Sequence, residues 1–231
     1  RAAWNVVTTA SPDTARNFGL EQHPDPKTRY ERANEFIEVT QKLWDSWEDD
    51  AFIYNKETGE FFHADKVHEP LHTGQYFNVQ GPLNVSRPPQ GYPVIVQAGQ
   101  SEDGRELAGK YAEVIFTAQQ NLVDAQEFYR DVKSRLLKSG RQPDDLKIMP
   151  GVSIFVAKTE KEAQEKYALL NSLIHPKVGL TLLSGLSGGI NLEKYDLDAP
   201  FPKLEEADIN FSSRQQMMID IARKHNFSIR Q

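Results

Sequence analysis

The chain has no cysteine, which excludes disulfides, thiolate nucleophiles and cysteine-held metals. No apolar run is long enough to span a bilayer, and no signal-peptide pattern precedes the first strand-like stretch, so a soluble, cytoplasmic protein is expected. Basic blocks are missing too. The formal net charge is −6, which argues against nucleic acid as the main partner. There is no internal repeat and no low-complexity tract. What remains is an ordinary globular composition, 39% hydrophobic and 26% charged, in 231 residues. That length suits one large α/β domain or two small ones.

The most informative stretch runs from Tyr92 to Ala108. Val94-Ile95-Val96 is a short β-branched run after a proline, the pattern of a strand buried on both faces. Ala98, Gly99 and Ser101 follow at once, and then Leu107, Ala108 and Tyr111 at helical spacing. Val114-Ile115-Phe116 is a second apolar run. The order is strand, tight turn, helix, strand: a βαβ unit. Gly99 allows close backbone approach, and Ser101 sits where a helix opens. Free N–H groups at the positive end of a helix dipole form a phosphate-binding geometry. A plainer alternative stays open, in which Gly99 only turns the chain and Ser101 only caps the helix.

The first strand is expected over Trp4 to Thr9, followed by a turn at Ala10-Ser11-Pro12-Asp13 and polar loop to Pro24. Asp25 reads as an N-cap with Pro26 at the first helical position. Tyr30, Ala33, Phe36, Ile37, Leu43, Trp44 and Trp47 then share one helical face. Tyr30 lies one turn inside, where its hydroxyl could reach an anion or its ring could simply pack. From Glu48 to Gly91 the periodicity breaks. Asn55 to Glu60 reads as a hairpin turn between Ile53-Tyr54 and Phe61-Phe62, and Tyr76 to Val79 as a short strand. So long a polar excursion suggests a functional one. It holds His63, His68 and His72, but Pro70 argues against a shared helix face for the last two. A polar group facing a substrate or cofactor is expected there rather than a metal ligand. Helices are expected over Leu122 to Gly140, Thr159 to Leu170 (with a capping box at Thr159 and Glu162) and Ser213 to Lys224. Leu146 to Met149 and Val152 to Val156 read as one strand interrupted at Pro150-Gly151. Ser172 to Asn210 reads as loose.

Several stretches together resemble one family. Gly91 to Gly99, then Ser101, Gly104 and Arg105, then Ala112 to Thr117, closely resemble flavin-dependent monooxygenases of the nitrilotriacetate and dibenzothiophene-sulfone type, in the bacterial luciferase superfamily. Arg1 to Thr8 looks like that family's fourth barrel strand. Arg29-Tyr30 with Ala33, Glu35 and Phe36 looks like its helix signature. His72, Gly74, Phe77, Val79, Gly81-Pro82-Leu83-Asn84 and Gln90-Gly91 resemble its long connection before strand five. The resemblance covers Arg1 to about Ala157 and is looser beyond.

The resemblance implies a (β/α)8 TIM barrel with its site at the carboxyl ends of the strands. It implies one barrel domain over residues 1–231, with insertions at about 48–91 and 172–212. It also implies reduced FMN from a separate NAD(P)H-dependent flavin reductase, dioxygen, a small organic substrate containing C–N or C–S bonds, and a homo-oligomer. Tyr30 and Ser101 would hold the FMN phosphate, with N–H groups from Gly99 through Gln100 to Glu102 helping. Asn5 and Thr8 would lie near the flavin ring. Two departures stand out. Gln100 occupies a position where the family often has a second serine, and Pro26 one where it often has histidine; His23 is out of register. The first three strands and the eighth have no counterpart, and the chain opens at Arg1 already in a strand. An incomplete barrel is therefore expected, with material missing at both ends. The same scaffold would also suit a deazaflavin-dependent dehydrogenase or a non-catalytic truncated relative. Substrate identity is not legible.

Overall fold

The computed structural model describes residues 1–9, 12–119, 121–186, 190–202 and 213–230. By internal contacts the chain divides into two compact units, Arg1–Gly151 and Val152–Gln231.

The first unit is a parallel sheet with helices on one face. Its strands are β1 (Ala3–Asn5), β4 (Val94–Gln97), β5 (Val114–Thr117) and β6 (Lys147–Pro150), in the order β1-β4-β5-β6, every pair parallel. Between them run α1 (Pro12–Asn17), α2 (Pro26–Trp44), α3 (Glu102–Tyr111) and α4 (Leu122–Lys138). Strand side chains alternate faces. Ile95 and Ile115 point toward the helices and meet Ile37, Leu107, Val132, Leu136 and Leu146 in one buried cluster. Phe116 and Met149 remain exposed. The expected strand–turn–helix–strand unit is present. Val94 and Val96, however, are only half-buried, so β4 is fully covered on one face alone.

The N-caps follow the sequence. The Asp25 carboxylate accepts from the Thr28 N–H at 3.1 Å, and Asn121 accepts from the Asp124 N–H at 2.9 Å. At the other end of α3, the Arg141 guanidinium donates to the carbonyls of Gly109 (3.0 Å) and Ala112 (2.8 Å), supplying the donors that the last turn of a helix lacks.

Several expectations are corrected. β1 stops at Asn5 rather than Thr9, although the Val6 N–H still donates to the Val96 carbonyl at 2.9 Å. Thr9 has φ of 42°, which breaks the extended run. Of the expected turn, Ala10 and Ser11 lie outside the described residues, while Pro12–Asn17 is helical, with Pro at its first position. Trp47 does not continue α2. It stacks on Phe52 with ring centroids 4.6 Å apart. The hairpin is present: the Asn55 N–H donates to the Glu60 carbonyl, and Gly59 takes φ of 77°. The short strand shrinks to β3 (Asn78–Val79), paired antiparallel with β2 (His72–Thr73).

In the second unit, α5 (Glu160–Ser172), α6 (Pro176–Leu186) and α7 (Ser213–Lys224) appear. Val152 to Val156 is not a strand; among the described residues no strand pairs with it, and Val152, Ile154 and Val156 are exposed. The α5 cap is not reciprocal. Thr159 Oγ1 accepts from the Glu162 N–H, but Glu162 accepts from Lys158 N–H rather than from Thr159. The segment expected to be loose contains α6, whose two glycines, Gly179 and Gly185, masked its helical pattern; residues 187–189 and 203–210 of that segment lie outside the described residues. Arg230 closes the unit with two hydrogen bonds to Asp198, at 2.7 and 3.0 Å.

Candidate functional site

The site grows from the carboxyl end of β4. Gln97 ends that strand and is 4% exposed. Its Oε1 accepts from the N–H groups of Ala98 and Gly99, each at 2.6 Å, while its Nε2 donates to the Val6 carbonyl at 3.0 Å. One buried amide therefore bends the chain after β4 and fastens it to the chain leaving β1.

Beyond it the backbone packs unusually closely. A Cβ on Gly99 would stand 2.7 Å from Tyr30 Oη and 2.9 Å from Gly104 Cα. A Cβ on Gly104 would stand 2.8 Å from Gly99 Cα and 2.9 Å from Tyr30 Oη. Only glycine at both positions lets the turn, the first turn of α3 and the Tyr30 hydroxyl converge. Ser101 is the N-cap of α3, its Oγ accepting from the Gly104 N–H at 3.2 Å. The N–H groups of Glu102 and Asp103 belong to that first turn, where no intrahelical carbonyl can accept them. Among the described residues the Tyr30 hydroxyl has no hydrogen-bond partner. A hydroxyl without a partner, a second hydroxyl with a free proton, and the positive end of a helix thus face one small space. That donor set suits a phosphate.

The remaining candidates divide. Gly99 contributes space rather than a donor, because its N–H is taken by Gln97; this corrects the expectation that its N–H would help. Gln100 is half-buried, and its Oε1 accepts from Gln119 Nε2 at 3.3 Å. Gln119 also donates to Thr117 Oγ1 at 2.9 Å, and both line a cleft of about 540 Å³ with Gln126, Tyr129 and Arg130. Asn5 ends β1 and is exposed, on the sheet face opposite Trp4. The Thr8 carbonyl accepts from Arg29 Nη1 at 3.3 Å, and that nitrogen also bonds the Thr9 carbonyl. Gln97 and Gln119 were not singled out as site residues. A glutamine closing an apolar strand was the available signal for the first.

The electrostatics of α3 are balanced by α4. Glu102, in the first turn, meets Arg135 at 2.8 Å and Arg105 at 3.2 Å. The Arg135 guanidinium holds the Glu102 carboxyl below its usual range. Arg135 also pairs with Asp131 and Glu106 and is itself nearly buried.

The histidines do other work. His72 is buried, with Nε2 3.1 Å from Glu35 Oε1 and Nδ1 3.2 Å from Lys42 Nζ. Glu35 also accepts from the N–H groups of Tyr76 (2.9 Å) and Phe77 (2.8 Å). Burial opposes its ionisation, yet these hydrogen bonds win and keep its carboxyl below the ordinary value. His72 thus pins the excursion to α2, with both ring nitrogens engaged. His68 pairs with Glu48 at 2.8 Å. Among the described residues, no three His, Asp or Glu side chains form a metal-binding group. No described helix is long and apolar enough to cross a membrane.

The family model described as luciferase-like monooxygenase matches residues 1–216. The chain belongs to the luciferase-like monooxygenase family. Two of the curated relatives that match the whole of this luciferase-like chain are the following. It is 53% identical over 232 residues to N-acetyl-S-(2-succino)cysteine monooxygenase of Bacillus subtilis (strain 168), covering 53% of that protein. It is 50% identical over 232 residues to nitrilotriacetate monooxygenase component A of Aminobacter aminovorans, covering 51% of it. Among solved structures, a riboflavin lyase with modified FMN and riboflavin superposes with TM-score 0.81 at 30% identity, over 99% of this chain and 52% of that one. The chain spans about half the length of the curated relatives it matches. Its fold is the luciferase-like α/β fold of TIM-barrel type.

Proposed function

We propose that this chain carries the flavin-phosphate site of a two-component monooxygenase using reduced FMN from a partner reductase and dioxygen. The observation that carries the proposal is the convergence of Tyr30 Oη, Ser101 and the first turn of α3 over the Gly99–Gly104 contact. Family membership, the relative named as a component A and a structural neighbour that holds a modified FMN support it. The proposed protein is a homo-oligomeric enzyme. Residues 1–231 form one barrel domain in this proposal, and the excursions at 48–91 and 172–212 are insertions.

Bound reduced FMN supplies the electrons that activate dioxygen for insertion of one oxygen atom into a substrate. The chain's part is to bind and orient. Tyr30, Ser101 and the N–H groups of Gln100 to Asp103 hold the phosphate. Asn5 and the Thr8 segment, at the carboxyl end of β1, border the flavin ring. Both relatives named above act, by their names, on small carboxylated molecules with a C–S or C–N bond. The proposed substrate is of that class.

Anaerobic titration with reduced FMN, riboflavin and FAD tests the site. FMN should bind tightest, because riboflavin lacks the phosphate and FAD carries an adenylate that needs extra space. Equal affinity for FMN and riboflavin would overturn the phosphate site. Preference for a deazaflavin would move the reading to a dehydrogenase on the same scaffold.

A further inference from the structure

We infer that Gln97 is the positioning residue of the phosphate turn and sets the preference for a phosphorylated flavin without touching it. This rests on the flavin site proposed above. A backbone turn leaving a strand has N–H groups to satisfy, and a ligand phosphate is one way to satisfy them. Here two of them, on Ala98 and Gly99, are satisfied internally by one side-chain oxygen, both at 2.6 Å. That leaves the N–H groups of Gln100 to Asp103 for a ligand, since the Gly104 N–H is accepted by Ser101 Oγ. The other end of the same amide donates to the Val6 carbonyl at 3.0 Å, so the turn is held in register with β1, which ends at Asn5. Gln97 Oε1 would also lie 3.1 Å from a Cβ on Gly99, so the amide fills the remaining space under the turn.

The amide is matched to this task. It needs an acceptor that can serve two N–H groups and a donor on the same planar group. Glutamine supplies both without charge. A buried polar group with every partner in place rigidifies its surroundings, and removing one member leaves the others unpaired. Loss of Gln97 therefore frees the Ala98 and Gly99 N–H groups and the Val6 carbonyl together. The turn then reorients to satisfy them, and the outward N–H set is lost.

The test compares the full chain with its Gln97→Met variant, which keeps side-chain length and apolar packing but offers no amide. FMN and riboflavin are titrated separately by flavin fluorescence, with melting curves alongside. The expected result is a loss of FMN affinity of about tenfold or more with riboflavin affinity changed less than threefold. A merely structural role predicts equal losses for both flavins, and that result overturns the inference; so does an unchanged FMN preference. If Gln97→Met does not fold, the same two titrations on Gln97→Asn decide, since that amide is too short to span both the turn and Val6. The parent protein separates the two levels. If it does not distinguish FMN from riboflavin, the flavin-phosphate proposal fails. If it does and the variants do too, only the role of Gln97 fails.

Discussion

Ser101 offers two separable jobs, and a pair of substitutions separates them. In the free protein its Oγ accepts the Gly104 N–H at 3.2 Å as the cap of α3. In the proposed complex its O–H proton points at a phosphate oxygen. Ser101→Ala removes both. Losing the cap costs about 0.5–2 kcal/mol, and a chain of this size shifts by about 2–4 °C per kcal/mol, so the free protein should melt a few degrees lower. Losing a donor to a charged group costs about 1.5–3 kcal/mol, a drop in FMN affinity of about 10- to 150-fold. Ser101→Asp pulls the two apart. Aspartate caps well and gains about 0.3–1 kcal/mol from the helix dipole, so stability without ligand should hold or rise. Against a phosphate at about 4 Å, one added negative charge costs about 4 kcal/mol at an effective dielectric of about 20. The dipole gain does not offset that, and FMN binding should nearly vanish. Calorimetric melting with and without FMN reads both effects, because ligand protection scales with occupancy. If Ser101→Asp binds FMN like the parent, the phosphate lies elsewhere and the whole placement of the site falls.

Three further outcomes are expected. Tyr30→Phe should weaken FMN binding by about 1.5–3 kcal/mol and leave the melting temperature unchanged, since the hydroxyl has no hydrogen-bond partner among the described residues; unchanged FMN affinity would make Tyr30 a packing residue only. Gly99→Ala drives a methyl to 2.9 Å from Gly104 Cα and 2.7 Å from Tyr30 Oη. Overpacking of this kind costs about 1–3 kcal/mol and should lower both stability and FMN affinity in urea titrations and binding assays. Tyr111 is half-buried, and burial, with the Glu38 carboxylate accepting its hydroxyl at 2.7 Å, pushes it up to about 12 from an ordinary 10.0. A raised folded-state pKa contributes stability that is complete below the unfolded value and lost as pH rises through the folded one. Stability should therefore fall between about pH 10 and 12, and Tyr111→Phe should flatten that slope in denaturant melts.

The elements that proved legible were those with a local physical signature. Asp25-Pro26 begins α2 because a carboxylate cap and a fixed proline φ act within four residues. Val94 to Ser101 read as strand, turn and helix opening because β-branching, small residues and a hydroxyl follow one another. What escaped depended on distant partners. Val152 to Val156 has strand composition, but among the described residues no strand pairs with it, and composition alone does not reveal whether a neighbour is there. His72 looked free because Glu35 and Lys42, which occupy its two nitrogens, lie 37 and 30 positions away. Gln97 was hidden for the same reason: its role depends on Val6, 91 positions off, and an amide at the end of a strand is otherwise unremarked.

The charges around the turn bear on how such a site would hold a flavin. Two acids, Glu102 and Asp103, open the helix at the proposed phosphate site. Two cations of the α3–α4 layer pair with carboxylates: Arg105 with Glu102 and Asp131, and Arg135 with Glu102, Glu106 and Asp131. They neutralise the carboxylate of Glu102 and brace α3 against α4. The donors left for a phosphate are hydroxyls and backbone N–H groups. These are directional and rigid, and they lack the long-range pull of a free guanidinium. In the proposed role that is an advantage. A flavin delivered by one protein and returned oxidised must be oriented accurately during turnover and released afterwards. A cradle of dipoles over a glycine contact orients it without the deep electrostatic well that would slow its exchange.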